Sequence, residues 1–353
     1  MNSLSRATAG KYRTLDAWRG VAALSVVFFH CTNTVLTTEM GWWAATLLHG
    51  WAGVFIFFPI SGYCISAAVS RGENATLGGF LFRRWHRIAP PYWASLLVAV
   101  GAGLVAASFT GNSLGYLNLG VPKWISVITL TQGFLHIPKA ISPVYWSLCY
   151  EEQFYIIMAL TLLPPSRYRL RLLFALTALV VAYLGAWPAA FRIDGLFADY
   201  WLAFASGIAL FAWLHQPRER AWALALVSLI AAGTVVSHDL GLEISAGVAL
   251  ILAICARFDE TMAETRLGRL LCRFGLFSYS LYLVHVPIGG RVVNLLRRAP
   301  LPLLVPSLAA IGVSIIAGWC FYRVVERRFV NRLSRRLPGP LIAPAEPRVA
   351  VAI

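Results

Sequence analysis

Residues 16–30 read DAWRGVAALSVVFFH. Between Arg19 and His30 no residue is charged, so a helix built to be dry carries an ionisable group at each end of its apolar run. Eleven residues at 100° each return to nearly the same helical face, roughly 16 Å further along the axis. The first helix therefore presents a cation near one membrane face and an imidazole toward the other, on one stripe. An ionisable residue at membrane depth costs at least a few kcal/mol and is a functional candidate by default. Two plainer readings stand beside this one. His30 could be a core histidine bonded to a neighbouring helix, and Arg19 could snorkel to the inner surface.

The whole chain supports a membrane setting for that helix. It has 353 residues, 59% of them hydrophobic and 13% charged, with a mean hydropathy of +0.69. A soluble domain has about 25% charged residues. The formal charge of +15 would suit nucleic acid, but its placement argues against that partner. Arginines cluster between apolar runs, as FRRWHR (82–87), SRYRLR (166–171), QPRER (216–220) and ERRFVNRLSRR (326–336). That is the pattern of cytoplasmic loops. Cysteines 31, 64, 149, 255, 272 and 320 form no metal-like or disulfide-like spacing and read as small core hydrophobes, with no metal expected. The start, with Arg6, Lys11 and Arg13 before an apolar run, resembles a signal peptide but lacks a cleavage site, and reads as a retained first helix.

Apolar segments lie near 15–36, 44–69, 90–110, 124–136, 144–163, 171–190, 196–214, 221–237, 241–256, 276–296 and 302–322. The segment 124–136 is too short to cross. If it crossed, SRYRLR would fall outside; if it is interfacial or re-entrant, that loop and QPRER both fall inside. The expected fold is therefore an all-α integral membrane bundle of about ten spans with both termini cytoplasmic. Arg297 and Arg298 are the exceptions to the charge rule. Residues 1–11 form a cytoplasmic segment, 12–330 the transmembrane domain, and 331–353 a Pro- and Ala-rich cytoplasmic tail expected to be disordered. No internal repeat of the transporter kind is evident.

Four further stretches carry polar groups into this bundle. In PVYWSLCYEEQFY (143–155), Glu151 and Glu152 lie about 100° apart, so both can hardly face lipid. Entering from outside at Pro143, Glu151 would sit in the same outer half as His30, where a carboxylate could fix the imidazole's tautomer. A structural polar knot is the alternative. In FLFRRWHRIAPPYW (80–93), Arg83, Arg84 and Arg87 precede a Pro-Pro that starts the third span, and Arg84 and Arg87 share a face. Topology alone would explain arginines there; the interleaved Trp85, His86 and Tyr92 suggest an anion site, phosphate above all. In GVFIFFPISGYCIS (53–66), Pro59 and Gly62 suggest a kink or close packing, with Ser61 bonding backbone. In SYSLYLVHVPI (278–288), His285 reads as a helix-bridging residue more than a catalytic one.

These stretches in this order, closed by YRVVERRF (322–329), resemble the membrane-bound acyltransferase type 3 family over about residues 12–330. The resemblance implies transfer of an acyl group, commonly acetyl, from cytoplasmic acyl-CoA to a hydroxyl of a carbohydrate or other acceptor. It implies His30 as general base, with Glu151 or Glu152 orienting it, and Arg19, Arg83, Arg84 and Arg87 holding acyl-CoA. It also implies membrane lipid as surroundings, no metal, and the bacterial inner membrane as location. Cys149 and Tyr150 replace the common Ser-Val before the glutamates, Pro59 stands where an apolar residue is usual, and Arg328 replaces a frequent proline. The rival class is a transporter or flippase for a sugar or lipid-linked precursor, which acyl-CoA turnover would discriminate.

Overall fold

The computed structural model describes residues 12–37, 40–70, 76–111, 118–187, 191–302 and 304–329. The segment 1–11 and the tail 331–353 lie outside them. The described residues are all-helical, with no strand. In chain order the helices are α1 (Leu15–Thr32), α2 (Trp42–Leu48), α3 (Val54–Ser70), α4 (Leu77–Thr110), α5 (Val121–Ile128), α6 (Trp146–Leu160) and α7 (Arg169–Ala186). They continue as α8 (Trp201–His215), α9 (Arg220–Ser237), α10 (Leu240–Cys255), α11 (Asp259–Glu264), α12 (Arg266–Leu276), α13 (Ser278–Leu296) and α14 (Val305–Phe321).

By length and composition six helical stretches among the described residues can cross a membrane, or seven if the pair α12–α13, bent by 68°, counts as one. Helices also stand at the other expected positions. α8 is 15 residues long, short for a span. α1 and α6 are diluted by the very residues that drew attention in the sequence, Asp16, Arg19 and His30 on one and Glu151, Glu152 and Gln153 on the other. Apolar character thus runs thin where chemistry is expected.

The third span differs from its sequence reading. Pro90 and Pro91 do not begin a helix; they sit inside α4, which starts at Leu77 under a Thr76 cap whose Oγ1 accepts from Gly79 N at 3.1 Å. The prolines cannot donate, so the carbonyls of His86 and Arg87 lose their helical partners. Arg83, Arg84 and Arg87 are therefore on the spanning helix itself and not in a loop before it.

The short segment near 124–136 is α5, 8 residues long, followed by a 3-10 turn Gln132–Leu135. It hangs from α4: Tyr92 OH donates to Val127 O at 2.8 Å and Trp93 Nε1 to Ile128 O at 3.0 Å.

α1 runs through the centre, packed on α12, α13, α3 and α14. Its crossing with α12 depends on two glycines. A methyl group at Gly20 would strike the Leu271 carbonyl, and one at Gly275 the Asp16 carbonyl. Small residues let membrane helices approach this closely. The same holds where Gly62 of α3 meets Gly207 of α8, which is the close packing expected there. The entry to α1 is capped from afar: Asp259 accepts from Arg13 N and Thr14 N at 2.7 Å and from Thr14 Oγ1 at 2.8 Å, neutralising donors that α1 leaves free.

Candidate active site

A cavity of about 120 Å³ opens between α1, α3, α4, α6, α13 and the π-helical turn Tyr322–Glu326 that ends α14. Such turns often mark functional positions. Arg19, Arg84, Arg87, Glu151 and Glu326 line it. Arg84 and Arg87, three apart on α4, face it together; Arg83, one step round the helix, does not line it.

The charges are unevenly engaged. Arg19 is held by Asp16 Oδ1 at 3.1 Å and donates to Cys64 Sγ at 3.4 Å. Glu151 Oε1 accepts from Ser61 Oγ at 3.2 Å and from the Tyr155 hydroxyl. Glu326 Oε2 accepts from Ser280 Oγ at 2.5 Å. Among the described residues no ion pair joins a cavity arginine to either glutamate. Arg84 lies over the rings of Phe80 and Tyr155, at 5.4 and 5.9 Å, and its buried Nε has no partner. Two guanidiniums thus face the cavity with their donors available, an arrangement suited to a phosphate.

The other end of the cavity is neutral. Ser147 Oγ lies 2.7 Å from Tyr282 OH, which donates to Val144 O at 2.6 Å. The Tyr282 ring is 6.0 Å from the His285 ring, and His285 is 5.4 Å from the His30 ring. His285 is fully buried at 0% exposure. Its Nδ1 lies 3.0 Å from Leu281 O and 2.9 Å from Tyr282 O, while its Nε2 has no partner. His30 is half-buried. Arg19 lines the cavity; His30 does not, and stands beyond the Tyr282 and His285 rings.

The glutamates stand elsewhere than the sequence suggested. Glu151 shares the level of Arg19, not that of His30, and no hydrogen bond joins either glutamate to His30. The cause lies in how α6 begins. Ser142, Val144 and Tyr145 are each 1% exposed, and Tyr145 OH donates to Leu283 O at 3.3 Å, close to His285. The chain therefore starts α6 already at the depth of the histidines. Six residues later, Glu151 is roughly 9 Å further along. Glu152 faces away, into a separate cavity of about 490 Å³ that it shares with Arg84 and Trp85, and its Oε1 is buried without a partner. Ser61 bonds a carboxylate and not backbone.

Several lining residues escaped the sequence reading: Tyr155, Tyr279, Tyr282, Ser147 and Glu326. Tyr279, Tyr282 and His285 recur every three residues, a spacing that places them on one side of α13. Glu326 was hidden inside the basic run ERRF.

A family model described as an acyltransferase domain matches residues 12–323. The chain belongs to the acyltransferase 3 family. An O-acetyl transferase of Shigella phage Sf6 is 24% identical over 307 residues, covering 82% of this chain and 87% of the relative. A Komagataeibacter xylinus protein named as a membrane-bound transacylase is 28% identical over 317 residues, 80% of this chain and 74% of the relative. A Staphylococcus aureus protein named as an O-acetyltransferase is 23% identical over 359 residues, 89% of this chain but only 56% of the relative. No solved structure matches. The protein is an integral membrane acyltransferase, and the family does not favour the transporter reading.

Proposed function

We propose that this acyltransferase moves an acyl group, acetyl in the first place, from cytoplasmic acyl-CoA to a hydroxyl of a carbohydrate acceptor. The observation that carries the reading is the polarity of the cavity. Two guanidiniums without carboxylate partners stand at one end, and a polar track leads from them toward His30. The phosphates of acyl-CoA would lie against Arg84 and Arg87, with Arg19 beside them, and Arg83 contributing from outside the cavity. The pantetheine arm would follow α1 toward His30. The relatives' names support acetyl transfer to oxygen; the carbohydrate acceptor rests on the family resemblance.

In the chemical step His30 takes the proton of the acceptor hydroxyl as its oxygen attacks the thioester carbonyl. The tetrahedral intermediate then expels the CoA sulfur, breaking the C–S bond, and the imidazolium returns the proton to the thiolate. Such acid–base help is worth typically 10²–10⁴-fold. Glu151, tied to Ser61 and Tyr155, shapes the donor side, and Glu152 acts from the neighbouring cavity. Cys31 is turned toward Ser314, 3.9 Å away, which favours direct transfer over a cysteinyl intermediate.

The arginine clusters support ten spans with both termini cytoplasmic, in the bacterial inner membrane. Reporter fusions after residues 140 and 240 should read outside, and those after 168 and 219 inside. The functional test is CoA release from labelled acetyl-CoA by the purified protein in proteoliposomes. Release that depends on an added glycan supports the reading; labelled glycan crossing the bilayer without CoA release would make it a transporter.

A further inference from the structure

His285 has no role in the mechanism above, yet its ring packs against His30. Its two nitrogens are in different situations. Nδ1 faces two backbone carbonyl oxygens, Leu281 O and Tyr282 O, which can only accept. The ring must donate there, so the proton sits on Nδ1 and Nε2 carries a lone pair. Nε2 is completely buried and has no partner. A buried acceptor left unmade is costly and calls for an explanation. Substrate does not supply one directly, because His285 is fully buried and does not line the cavity.

The neighbouring groups narrow the choice. The Tyr282 hydroxyl is committed to Val144 O and Ser147. On α14, Ser314 Oγ reaches the His285 carbonyl at 3.4 Å and not its ring. The exposed Lys139 is the charged group that acts on His30. Of the polar groups in ring contact with His285 there remains the imidazole of His30, 5.4 Å away between centroids, a separation from which ring nitrogens turned toward each other come within hydrogen-bond reach. The rings are not bonded as they stand. His30 is half-buried and its χ2 well is broad, so a small turn of that ring completes the bond, and such contacts commonly tighten only with substrate bound.

We infer that His285 is a positioning residue for the base: its Nε2 accepts the ring N–H of His30 and leaves the other His30 nitrogen bare toward the acceptor hydroxyl. The inference rests on His30 being the base. It gives to a neutral imidazole the task that a carboxylate performs in Ser-His-Asp triads. A neutral acceptor avoids an isolated charge at membrane depth, which fits the placement of Glu151 one region away.

Two substitutions divide the histidine's two functions. His285→Asn keeps a donor near Nδ1 but is too short to reach His30. His285→Gln places an amide oxygen near Nε2 but gives up the bond to the carbonyls. The assay is acyl transfer from labelled acetyl-CoA in proteoliposomes across pH, with His30→Ala in parallel. The asparagine variant should lose about tenfold or more in kcat, within the range of a general-base contribution, with KM for acyl-CoA unchanged. The glutamine variant should keep most of the rate. The bond from His30 to Nε2 favours the imidazolium, so the acid limb of kcat/KM should move to lower pH in the asparagine variant. A purely structural role would lower the yield of folded protein without moving that limb. An asparagine variant with normal kcat and an unmoved limb overturns the positioning role alone. His30→Ala with normal turnover overturns the base itself. If the asparagine variant does not fold, the glutamine variant decides: a limb displaced as far as its rate is lost overturns the inference.

Discussion

Two regions share the same two helices and are built on opposite principles. α1 contributes Arg19 to one and His30 to the other; α13 contributes Tyr279 to one and His285 to the other. The Arg19 region gathers five charged side chains, and one oxygen of each carboxylate is held by hydroxyls. Among the described residues no ion pair reaches the His30 region, where Lys139 is the charge that acts on His30, and it holds two imidazoles, one with an unused nitrogen. Charge is concentrated where a charged part of a ligand can balance it, and withheld where a proton is to move. Within a membrane this division is economical, since an unpaired charge is expensive and a neutral imidazole is not.

The comparison breaks first at His30. His30→Ala should reduce acyl transfer by about 10²-fold or more while the protein inserts and binds acyl-CoA normally. Single-turnover transfer, with expression checked by blot, measures it. A variant that also lost acyl-CoA binding would show that the two regions are not separate.

The next largest effects belong to the arginines. Arg87→Ala and Arg84→Ala should each weaken acyl-CoA binding by about 10- to 100-fold, since a charged hydrogen bond contributes about 1.5–3 kcal/mol. Arg83→Ala should have less effect, because Arg83 lies off the cavity. Equilibrium binding of CoA to the three variants sharpens the division. Equal, negligible losses would leave all three as topology signals.

A smaller effect is expected at Glu151. Glu151→Gln keeps the shape and its bonds to Ser61 and Tyr155 but removes a charge from the donor region. It should alter KM for acyl-CoA several-fold and kcat less, in keeping with loss of uniform binding. A change confined to kcat would move Glu151 back beside the chemistry.

Much of this arrangement is legible in the sequence, and the part that is not has a definite cause. The helices fall where apolar runs fall, because each run is long enough to declare itself. The Arg19–His30 stripe needs only helical periodicity, and Arg84 and Arg87 share their face for the same reason. The depth of Glu151 is not legible, because a count from Pro143 takes that residue to lie at the surface. A buried entry at Ser142 to Tyr145 shifts every residue of α6 inward, and nothing in a single sequence reports where a re-entrant segment leaves the chain. The His30–His285 contact joins the first helix to one near the end, and no local pattern links them. The continuation of α4 through Pro90 and Pro91 is hidden because two adjacent prolines normally read as a boundary.

The smallest expected effect guards the assignment of the pH profile. Asp199 lies in the turn before α8, outside the spanning helices, and accepts from Tyr150 OH at 3.4 Å. Burial pushes its carboxyl up from 3.8 to about 6, which the Tyr150 bond and Arg192 oppose and Asp194 and Asp239 reinforce. A group of that strength titrates where a histidine base would, so it could imitate the acid limb ascribed to His30. The sign of its own contribution is fixed by linkage. The folded protein holds this proton more tightly than the unfolded chain does, so the stabilisation is complete below about pH 4 and is lost as pH rises through about 6. At pH 7–8 the half-buried carboxylate is a liability, and Asp199→Asn should raise Tm there; below pH 4 the two proteins should melt together. The acid limb of kcat/KM should stay where it is in Asp199→Asn, because the residue sits in neither region. Melting curves and transfer rates on the same proteoliposome preparations give both readings. A limb that moved with Asp199 would take the titration away from the His30–His285 pair, and with it the claim that the uncharged region is the one where the proton moves.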